Sequence, residues 1–449
     1  MAIGSSPPVG PPAGPGALRS LLSPRSVGVI GAMGRHGSAG YETVRALRDY
    51  GFTGRLHPVN GSGRPVCGIP AHRSLAGLPG PIDLLVVALP PGRVPNALRE
   101  AGRLGVRTAL VLSRSSAAGH HPDQAREIGR VTREHGILLA GPNSLGVIDT
   151  DPRVRLDACL SPCRPAPGGL AMACRSGTVG LAMLEHAARS GGGLASFVSL
   201  GDSTDVSAAA LVAHWRADPR VRAIALCLDA VGDPASFARA ARVTARSKPV
   251  LVIPGGAPAP PESLFTHAGV IAAAGLDEMM DAARLLADQP LPAGRRLGIV
   301  GNAGGLDAIA ARTARAAGFR LAESHLLDVG VDADPRRMAD AVETVTARGE
   351  VDIVLVTIAG TRANVPDAIL TAVGRVVDGH PKVTAAAVLT GCGHDIDHIG
   401  ARRAPVYRQH DRAIRALAHA VSYAAWRRQP PGRRVAGGRV EGSPLRVAE

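Results

Sequence analysis

Aromatic residues are scarce in this chain, at 2% of its 449 residues, and Lys248 and Lys382 are its only lysines. Proteins that hold single-stranded nucleic acid stack the bases on aromatic side chains, so a stacking platform of that kind is not expected here. The net charge of +14 comes from arginine spread along the chain, and we interpret it as an arginine-rich surface. A small polyanionic ligand is a sufficient partner for this charge, and no nucleic-acid partner is predicted.

The sequence also lacks the signals of membrane and secreted proteins. No apolar run approaches the roughly 20 residues that span a bilayer. Residues 1–22 are rich in Pro, Gly and Ser and lack the basic start and apolar stretch of a secretion signal. We expect a disordered leader there and a disordered basic tail over residues 429–449. These features predict a cytoplasmic protein without a membrane partner.

Cysteine and histidine patterns give no support for a disulfide framework or a metal site. The six cysteines are scattered along a long chain, which argues against disulfides. Cys159 and Cys163 lie close together, but no second Cys/His pair follows at the spacing of a zinc site. His394 and His398 would share one face of a helix, yet they follow a predicted strand, which favours loop residues. No metal is therefore predicted.

Short apolar runs alternate with Ala- and Arg-rich helical patterns in three successive blocks. This alternation is typical of parallel sheets whose strands are joined by crossover helices. The blocks cover residues 23–150, 169–289 and 295–428, and a connector with a Pro-rich end, 151–168, separates the first two. The second and third blocks each open with a strand, a small-residue loop and a helix. We therefore predict an α/β protein of three domains, with two helix N-termini able to bind anions.

A glycine-rich loop, 31–40, follows the first predicted strand and precedes a helix. Glycines let backbone N–H groups approach a phosphate, and the helix N-terminus adds partial positive charge. A site for NAD would need an acidic residue at the end of the second strand, but the segment 57–64 contains none. Arg64 can accept a ribose phosphate, which leaves NADP and the 3′-phosphate of coenzyme A (CoA) as alternatives.

A set of segments, in order and spacing, resembles one protein family. In the first block these are SPRSVGVIGAMGRHGSAGY, FTGRLHPVN, IDLLVVALPPGRVP and LLAGPNSLGVIDT. The later ones are CRSGTVGLAML, SFVSLGDSTDVS, IVGNAGG and APVYRQHDRAIRALAHAVSYAAWRR. Together they resemble the α-type chain of NDP-forming acyl-CoA synthetases, such as the ADP-forming acetyl-CoA synthetases, and the related α subunit of succinyl-CoA synthetase.

The resemblance implies a fold and a reaction. The fold is a Rossmann-like CoA-binding domain over residues 23–150, followed by two flavodoxin-like parallel α/β domains. The reaction is a reversible acid–thiol ligation in three steps. Acyl-CoA and phosphate give an acyl phosphate, a histidine takes the phosphoryl group, and NDP on an ATP-grasp module receives it. The sequence contains no GxxxxGK[ST] loop, so ATP or ADP and Mg are expected only through a partner ATP-grasp β-type subunit.

The resemblance also implies site residues. The positions that match the CoA site are Gly34, Arg35, His36, Gly37, Asn60, Pro90, Ser113 and Asn143. Phosphate is expected at two helix N-termini, at Ser176, Gly177 and Thr178 and at Asn302, Gly304 and Gly305. Helix dipoles and N–H donors at such ends stabilise a bound phosphate or a phosphohistidine.

The catalytic histidine is where the chain departs from the family pattern. In one register the family motif S-H-T-G-A corresponds to THAGV, which makes His267 the phosphoryl carrier and Asp229 the carboxylate that orients it. In a second register the run A-G-V-I belongs to a later family segment, His267 is an ordinary loop residue, and the catalytic segment is deleted. The first register predicts an active ligase with an altered phosphohistidine segment. The second predicts a catalytically degenerate CoA-binding or regulatory protein.

Overall fold

The computed structural model describes residues 15–113, 122–202, 205–228, 233–254, 262–391 and 396–430. Within these residues the chain forms three α/β units, each built on its own sheet of five, seven or six strands. Most strand pairs are parallel, and the strand interiors are buried on both faces because helices cover them. The predicted α/β fold class is confirmed. The domain boundaries given above stay a prediction.

The first unit is a doubly wound parallel sheet. Its strand order is β2-β1-β3-β4-β5, so the order reverses at β1. Ligands of such sheets bind outside the carboxyl ends of the strands at this reversal. The elements are α1 Pro15–Leu22, β1 Ser26–Ile30, α2 Ala39–Tyr50, β2 Arg55–Val59, β3 Leu84–Val87, α3 Val94–Arg103, β4 Thr108–Val111, α4 Pro122–His135 and β5 Leu138–Ala140.

The second unit follows without a break in the chain. Its strand order is β12-β11-β10-β8-β9-β6-β7, and β6 pairs antiparallel with both β7 and β9. The connector expected over residues 151–168 thus contains a strand of this sheet. The elements are β6 Gly146–Asp149, β7 Leu156–Cys159, β8 Pro167–Cys174, α5 Gly177–Arg189, β9 Leu194–Ser199, α6 Ala208–Ala217, β10 Ala223–Leu228, α7 Pro234–Ala245, β11 Val250–Pro254, α8 Glu262–Ala268, β12 Ile271–Ala272 and α9 Leu276–Asp288.

The third unit repeats the pattern with strand order β14-β13-β15-β16-β18-β17. Its central strands β13 and β15 pair in parallel, and the last pair, β17 and β18, is antiparallel. The elements are β13 Leu297–Gly301, α10 Gly305–Ala316, β14 Leu326–Asp328, α11 Pro335–Ala347, β15 Ile353–Ala359, α12 Pro366–Gly379, β16 Thr384–Thr390, β17 His398–Ile399, β18 Ala404–Tyr407 and α13 His410–Arg428.

The N-terminal segment differs from the predicted disordered leader. Residues 15–22 form helix α1, so the leader assigned to residues 1–22 is wrong for this part. Leu18, Leu21 and Leu22 are spaced to lie on one helical face, and all three are buried. The helix contacts both β4 of the first unit and β6 of the second. Residues 1–14 and the tail beyond residue 430 lie outside the described residues.

Helices α9 and α13 join the second and third units through a buried ionic contact. The Asp281 carboxylate on α9 accepts a hydrogen bond from Arg412 on α13 at 2.5 Å, and His186 on α5 lies 3.7 Å from the same carboxyl group. Burial works to raise the pKa of Asp281, but His186 and Arg412 outweigh it and the pKa lies below its usual value. Asp281 is therefore ionised at neutral pH and depends on these partners.

Replacing Arg412 with methionine is expected to destabilise the protein by about 3 kcal/mol, because the Asp281 charge would stay buried with one partner removed. Urea unfolding at pH 7 measures the loss. Arg415→Met is the matched control on the same helix, since Arg415 pairs with Asp411 on the exposed surface and such pairs contribute about 0.3–0.5 kcal/mol. Equal losses in the two variants would contradict a stabilising role for the buried pair.

Across the described part of the chain, no helix combines the length and the apolar character required to cross a membrane.

Candidate active site

The loop between β1 and α2 is folded tightly onto the tips of the neighbouring strands. Gly31 has a φ of +86°, and its N–H donates to the carbonyl of Val59 at 3.1 Å. A Cβ at position 31 would lie 2.5 Å from the carbonyl oxygen of Ala88, so only glycine allows this approach. The loop is thereby fixed at the carboxyl edge of the first sheet, beside the reversal point of the strand order.

The four predicted CoA residues of this loop, Gly34, Arg35, His36 and Gly37, are all exposed. A Cβ at Gly34 would meet no heavy atom within 4 Å, so the loop borders open space. His36 Nε2 lies 3.0 Å from the Tyr41 hydroxyl, which orients the imidazole ring. The Gly37 N–H donates to the Glu42 carboxylate at 2.9 Å, and this donor is therefore already used inside the protein.

Asn60, at the end of β2, acts as a clamp between loops. Its side chain is buried, and its Nδ2 donates to the carbonyls of Ala32 and Arg64, at 3.0 Å in each case. Its Oδ1 accepts a hydrogen bond from Ser62 at 2.7 Å. The Asn60 amide thus holds the glycine-rich loop against the β2 loop. In a CoA site it would shape the loop rather than supply a free donor.

Pro90, Ser113 and Asn143 lie on three further loops at the same edge of the sheet. Pro90 follows β3 and is exposed. Ser113 follows β4, and its carbonyl accepts a hydrogen bond from the Asn143 N–H at 2.9 Å. The Ser113 hydroxyl oxygen is buried and has no hydrogen-bond partner among the described residues. A buried hydroxyl without a partner carries a free-energy cost, which a bound polar ligand would remove.

These loops have features that could hold a polar ligand with phosphate groups. The exposed edge at Gly34 leaves room for a bulky group, and the unpaired Ser113 hydroxyl supplies a donor or acceptor deeper in the crevice. The exposed guanidinium of Arg35 adds positive charge on the same loop. Phosphate groups interact favourably with such a combination of loop N–H groups and arginine.

A cavity of about 550 Å³ lies where the first and second units meet. It brings Asn143 of the predicted CoA set together with Ser176, Gly177 and Thr178 of the predicted phosphate set. The cavity also has a positive and a negative side chain that the sequence interpretation did not single out, Arg175 and Asp202. Both residues belong to segments that carry the family resemblance, and both come shortly after a strand. This position at a strand end could have identified them as site residues.

The polar end of this cavity is the N-terminus of α5. Ser176 is the N-cap residue, and its hydroxyl lies 2.8 Å from the Thr178 hydroxyl instead of capping the helix. Arg175 Nε donates to the carbonyl of Gly201 at 3.3 Å, which holds the guanidinium group beside the helix end. A guanidinium, two hydroxyls and the positive end of a helix dipole form an environment suited to a phosphate or a carboxylate.

Two family descriptions match the chain: the CoA binding domain over residues 25–150 and the succinyl-CoA ligase like flavodoxin domain over residues 167–260. The α subunit of ADP-forming acetate–CoA ligase I from Pyrococcus furiosus is 28% identical over 92% of this chain and 98% of its own length. ADP-forming acetate–CoA ligase I from Archaeoglobus fulgidus is 30% identical over 75% of this chain and 54% of its own length.

The chain carries both of these domains and resembles the NDP-forming acyl-CoA synthetases over most of its length.

The fold of the chain agrees with that of a solved structure. Dinucleotide-forming acetyl-coenzyme A synthetase 1 from Ca. Korarchaeum cryptofilum, solved with phosphate and ADP, superposes with a TM-score of 0.84 at 23% identity. The match covers 91% of this chain and 97% of that chain. It confirms the CoA-binding and flavodoxin-like domains. The chain spans about half of the Archaeoglobus relative and nearly all of the Pyrococcus α subunit.

The second predicted phosphate site has a different environment. The Asn302 side chain is buried and exchanges two hydrogen bonds with the backbone of Ala359, at 2.7 and 3.3 Å. Asp307, in the first turn of α10, accepts hydrogen bonds from the Thr357 hydroxyl and the Ala303 N–H, and burial raises its pKa. Asn302, Gly304 and Gly305 are not among the residues that line the cavity at α5.

His267, the predicted phosphoryl carrier, lies in the last turn of helix α8 and is exposed. The chain then turns at Gly269, which packs against the ring of Trp426, and pairs as β12 with β11. His267 is not among the residues that line the cavity at α5. Its predicted partner Asp229 lies outside the described residues, as does His394. The catalytic roles of His267 and Asp229 stay predictions.

Proposed function

We propose that this chain is the CoA-binding α-type component of an NDP-forming acyl-CoA synthetase. The single observation that carries the proposal is the cavity that joins Asn143, from the CoA-site loops, to Ser176 and Thr178 at the N-terminus of α5. An acyl-CoA whose nucleotide end lies on the first unit could present its thioester to an anion held at this helix end. The overall reaction converts acyl-CoA, phosphate and NDP to acid, CoA and NTP.

In this proposal one set of residues binds CoA and a second set binds phosphate. The loop 34–37 and the Ser113 hydroxyl would hold CoA, with Asn60 fixing the loop in place. Ser176, Thr178 and the backbone N–H groups at the start of α5 would orient phosphate, and Arg175 would neutralise its charge. Such fixed donors stabilise developing negative charge without reorganisation. The Asp202 carboxylate in the same cavity would oppose anion binding, and Arg175 would offset its charge.

We also propose a separate ATP-grasp β-type chain that supplies the site for ATP or ADP and Mg. The support is the 98% coverage of a relative that is itself named a subunit alpha. The scarcity of lysine, with Lys248 and Lys382 alone, argues against a lysine-based triphosphate site in these three units. A cytoplasmic location is part of the same proposal.

A second candidate function is a CoA-binding protein that does not transfer a phosphoryl group. The observation that favours it is the position of His267, on a helical turn that leads directly into β12. A phosphoryl carrier has to reach both the acyl phosphate and the nucleotide site, which suits a loop better than a helix anchored by packing at Gly269. In this function the chain would hold CoA or acyl-CoA for regulation.

One experiment separates the two functions. The tagged chain would be purified from its native host together with its partners and incubated with acyl-CoA and radiolabelled phosphate. Label that is stable to base, labile to acid and lost in His267→Gln would support the ligase with His267 as carrier. CoA binding without any histidine-bound label, in a complex that contains an ATP-grasp chain, would favour the second function.

A further inference from the structure

The cavity at α5 has an apolar wall in addition to its polar end. Four leucines from four separate segments line it, namely Leu112, Leu145, Leu160 and Leu181. Leu112 and Leu145 are at least nine-tenths buried, whereas Leu160 and Leu181 are partly exposed. A bound anion alone would leave these four leucines without an apolar partner. The wall indicates that part of the ligand is a hydrocarbon group.

The size of the cavity supports the same conclusion. An acetyl group and a phosphate together have eight non-hydrogen atoms, which occupy about 240 Å³ if each takes about the 30 Å³ of a water molecule. The cavity measures about 550 Å³. Even with the thiol end of CoA in place, space remains along the leucines for several more carbon atoms.

We infer that the acyl group handled by this chain is an apolar one longer than acetyl, with a chain of about four to six carbons. The carbonyl carbon of the acyl group would lie toward Ser176 and Thr178, and its hydrocarbon part would pack against the four leucines. The inference rests on the proposed function, because it assumes that the thioester end of an acyl-CoA enters this cavity. The leucine wall disfavours a second carboxylate at the far end of the acyl group, because leucine side chains offer it no polar partner.

Affinity for acyl-CoA should therefore increase with chain length. Burial of one methylene group contributes about 0.8 kcal/mol, which is about a fourfold change in affinity. Butyryl-CoA has two methylenes more than acetyl-CoA, so it is expected to bind about 15-fold more tightly. Calorimetric titration of the full chain with CoA, acetyl-CoA and butyryl-CoA at one fixed salt concentration measures this series.

The variant Leu181→Gln tests where the acyl group lies. It keeps side-chain length but makes this wall polar, so the gain from acetyl-CoA to butyryl-CoA should fall to about threefold or less. Leu104→Gln is the matched control, since Leu104 is exposed and lies outside the cavity. Circular dichroism spectra and urea midpoints that match those of the wild type show that both variants are folded.

The outcomes of these titrations distinguish a failure of the inference about the acyl group from a failure of the proposed function. Failure of the wild-type chain to bind CoA at all would overturn the proposed function. CoA binding with equal affinities for acetyl-CoA and butyryl-CoA would overturn only the inference about the acyl group. A chain-length gain that Leu181→Gln leaves as large as Leu104→Gln does would also overturn it, because the acyl group would then lie elsewhere.

Discussion

Gly34→Asp is expected to lower the affinity of the chain for CoA by at least about 100-fold, which corresponds to about 2.8 kcal/mol. Position 34 borders open space, with no heavy atom within 4 Å of a built Cβ, so the new side chain fits without strain. Its carboxylate would stand where the phosphate groups of CoA are proposed to lie. Two like charges 4 Å apart near a protein surface repel by about 4 kcal/mol.

The matched control for this variant is Gly379→Asp. Gly379 ends α12 in the third unit and also has no heavy atom within 4 Å of a built Cβ. It adds the same charge to the protein at a distance from the first sheet. Loss of CoA affinity in both variants alike would mean that overall charge is responsible. Retained affinity in Gly34→Asp would remove the glycine-rich loop from the CoA site.

Thr178→Glu is expected to abolish phosphate binding at α5, with a loss of at least about 100-fold. Thr178 is exposed in the first turn of the helix and lines the cavity, so a longer side chain can be accommodated. A carboxylate there would occupy the positive end of the helix dipole and repel an incoming anion. Equilibrium dialysis with radiolabelled phosphate, in the presence of saturating CoA, measures the affinity whether or not the chain is catalytically active.

The matched control for Thr178→Glu is a second threonine on an exposed helix face. Thr371→Glu makes the same change on the exposed face of α12 and reports non-specific binding to the arginine-rich surface. CoA affinity should stay within about threefold of wild type in both variants, because the CoA loops are not altered. Phosphate binding that survives Thr178→Glu would place the anion elsewhere, with the N-terminus of α10 as the next candidate.

Local sequence pattern was sufficient for the alternation of strands and helices. The helix predicted after the glycine-rich loop occurs as α2, Ala39–Tyr50, because its buried residues recur at helical spacing. Strand β7 was missed, since its LDAC segment contains a charged residue. Asp157 is buried there only because Arg164 pairs with it at 2.7 Å, a contact that periodicity does not reveal.

In the site, too, the sequence identified which positions matter but not the contacts that their side chains make. The resemblance identified Asn60 as a site position, but not that its amide would be consumed by Ala32 and Arg64. It left two registers open at His267, because a shortened segment can be aligned either way. The helical turn before β12, fixed by packing of Gly269 against Trp426, comes from contacts that are distant in sequence.

The central claim, that the first unit binds CoA, is tested most directly by titrating the full chain with CoA and with NADP at one stated salt concentration. We predict saturable binding of one CoA per chain, at least about tenfold tighter than NADP, a difference of about 1.4 kcal/mol. No saturable CoA binding, or tighter binding of NADP, would contradict the claim. The chain would then keep the fold of its family without the ligand.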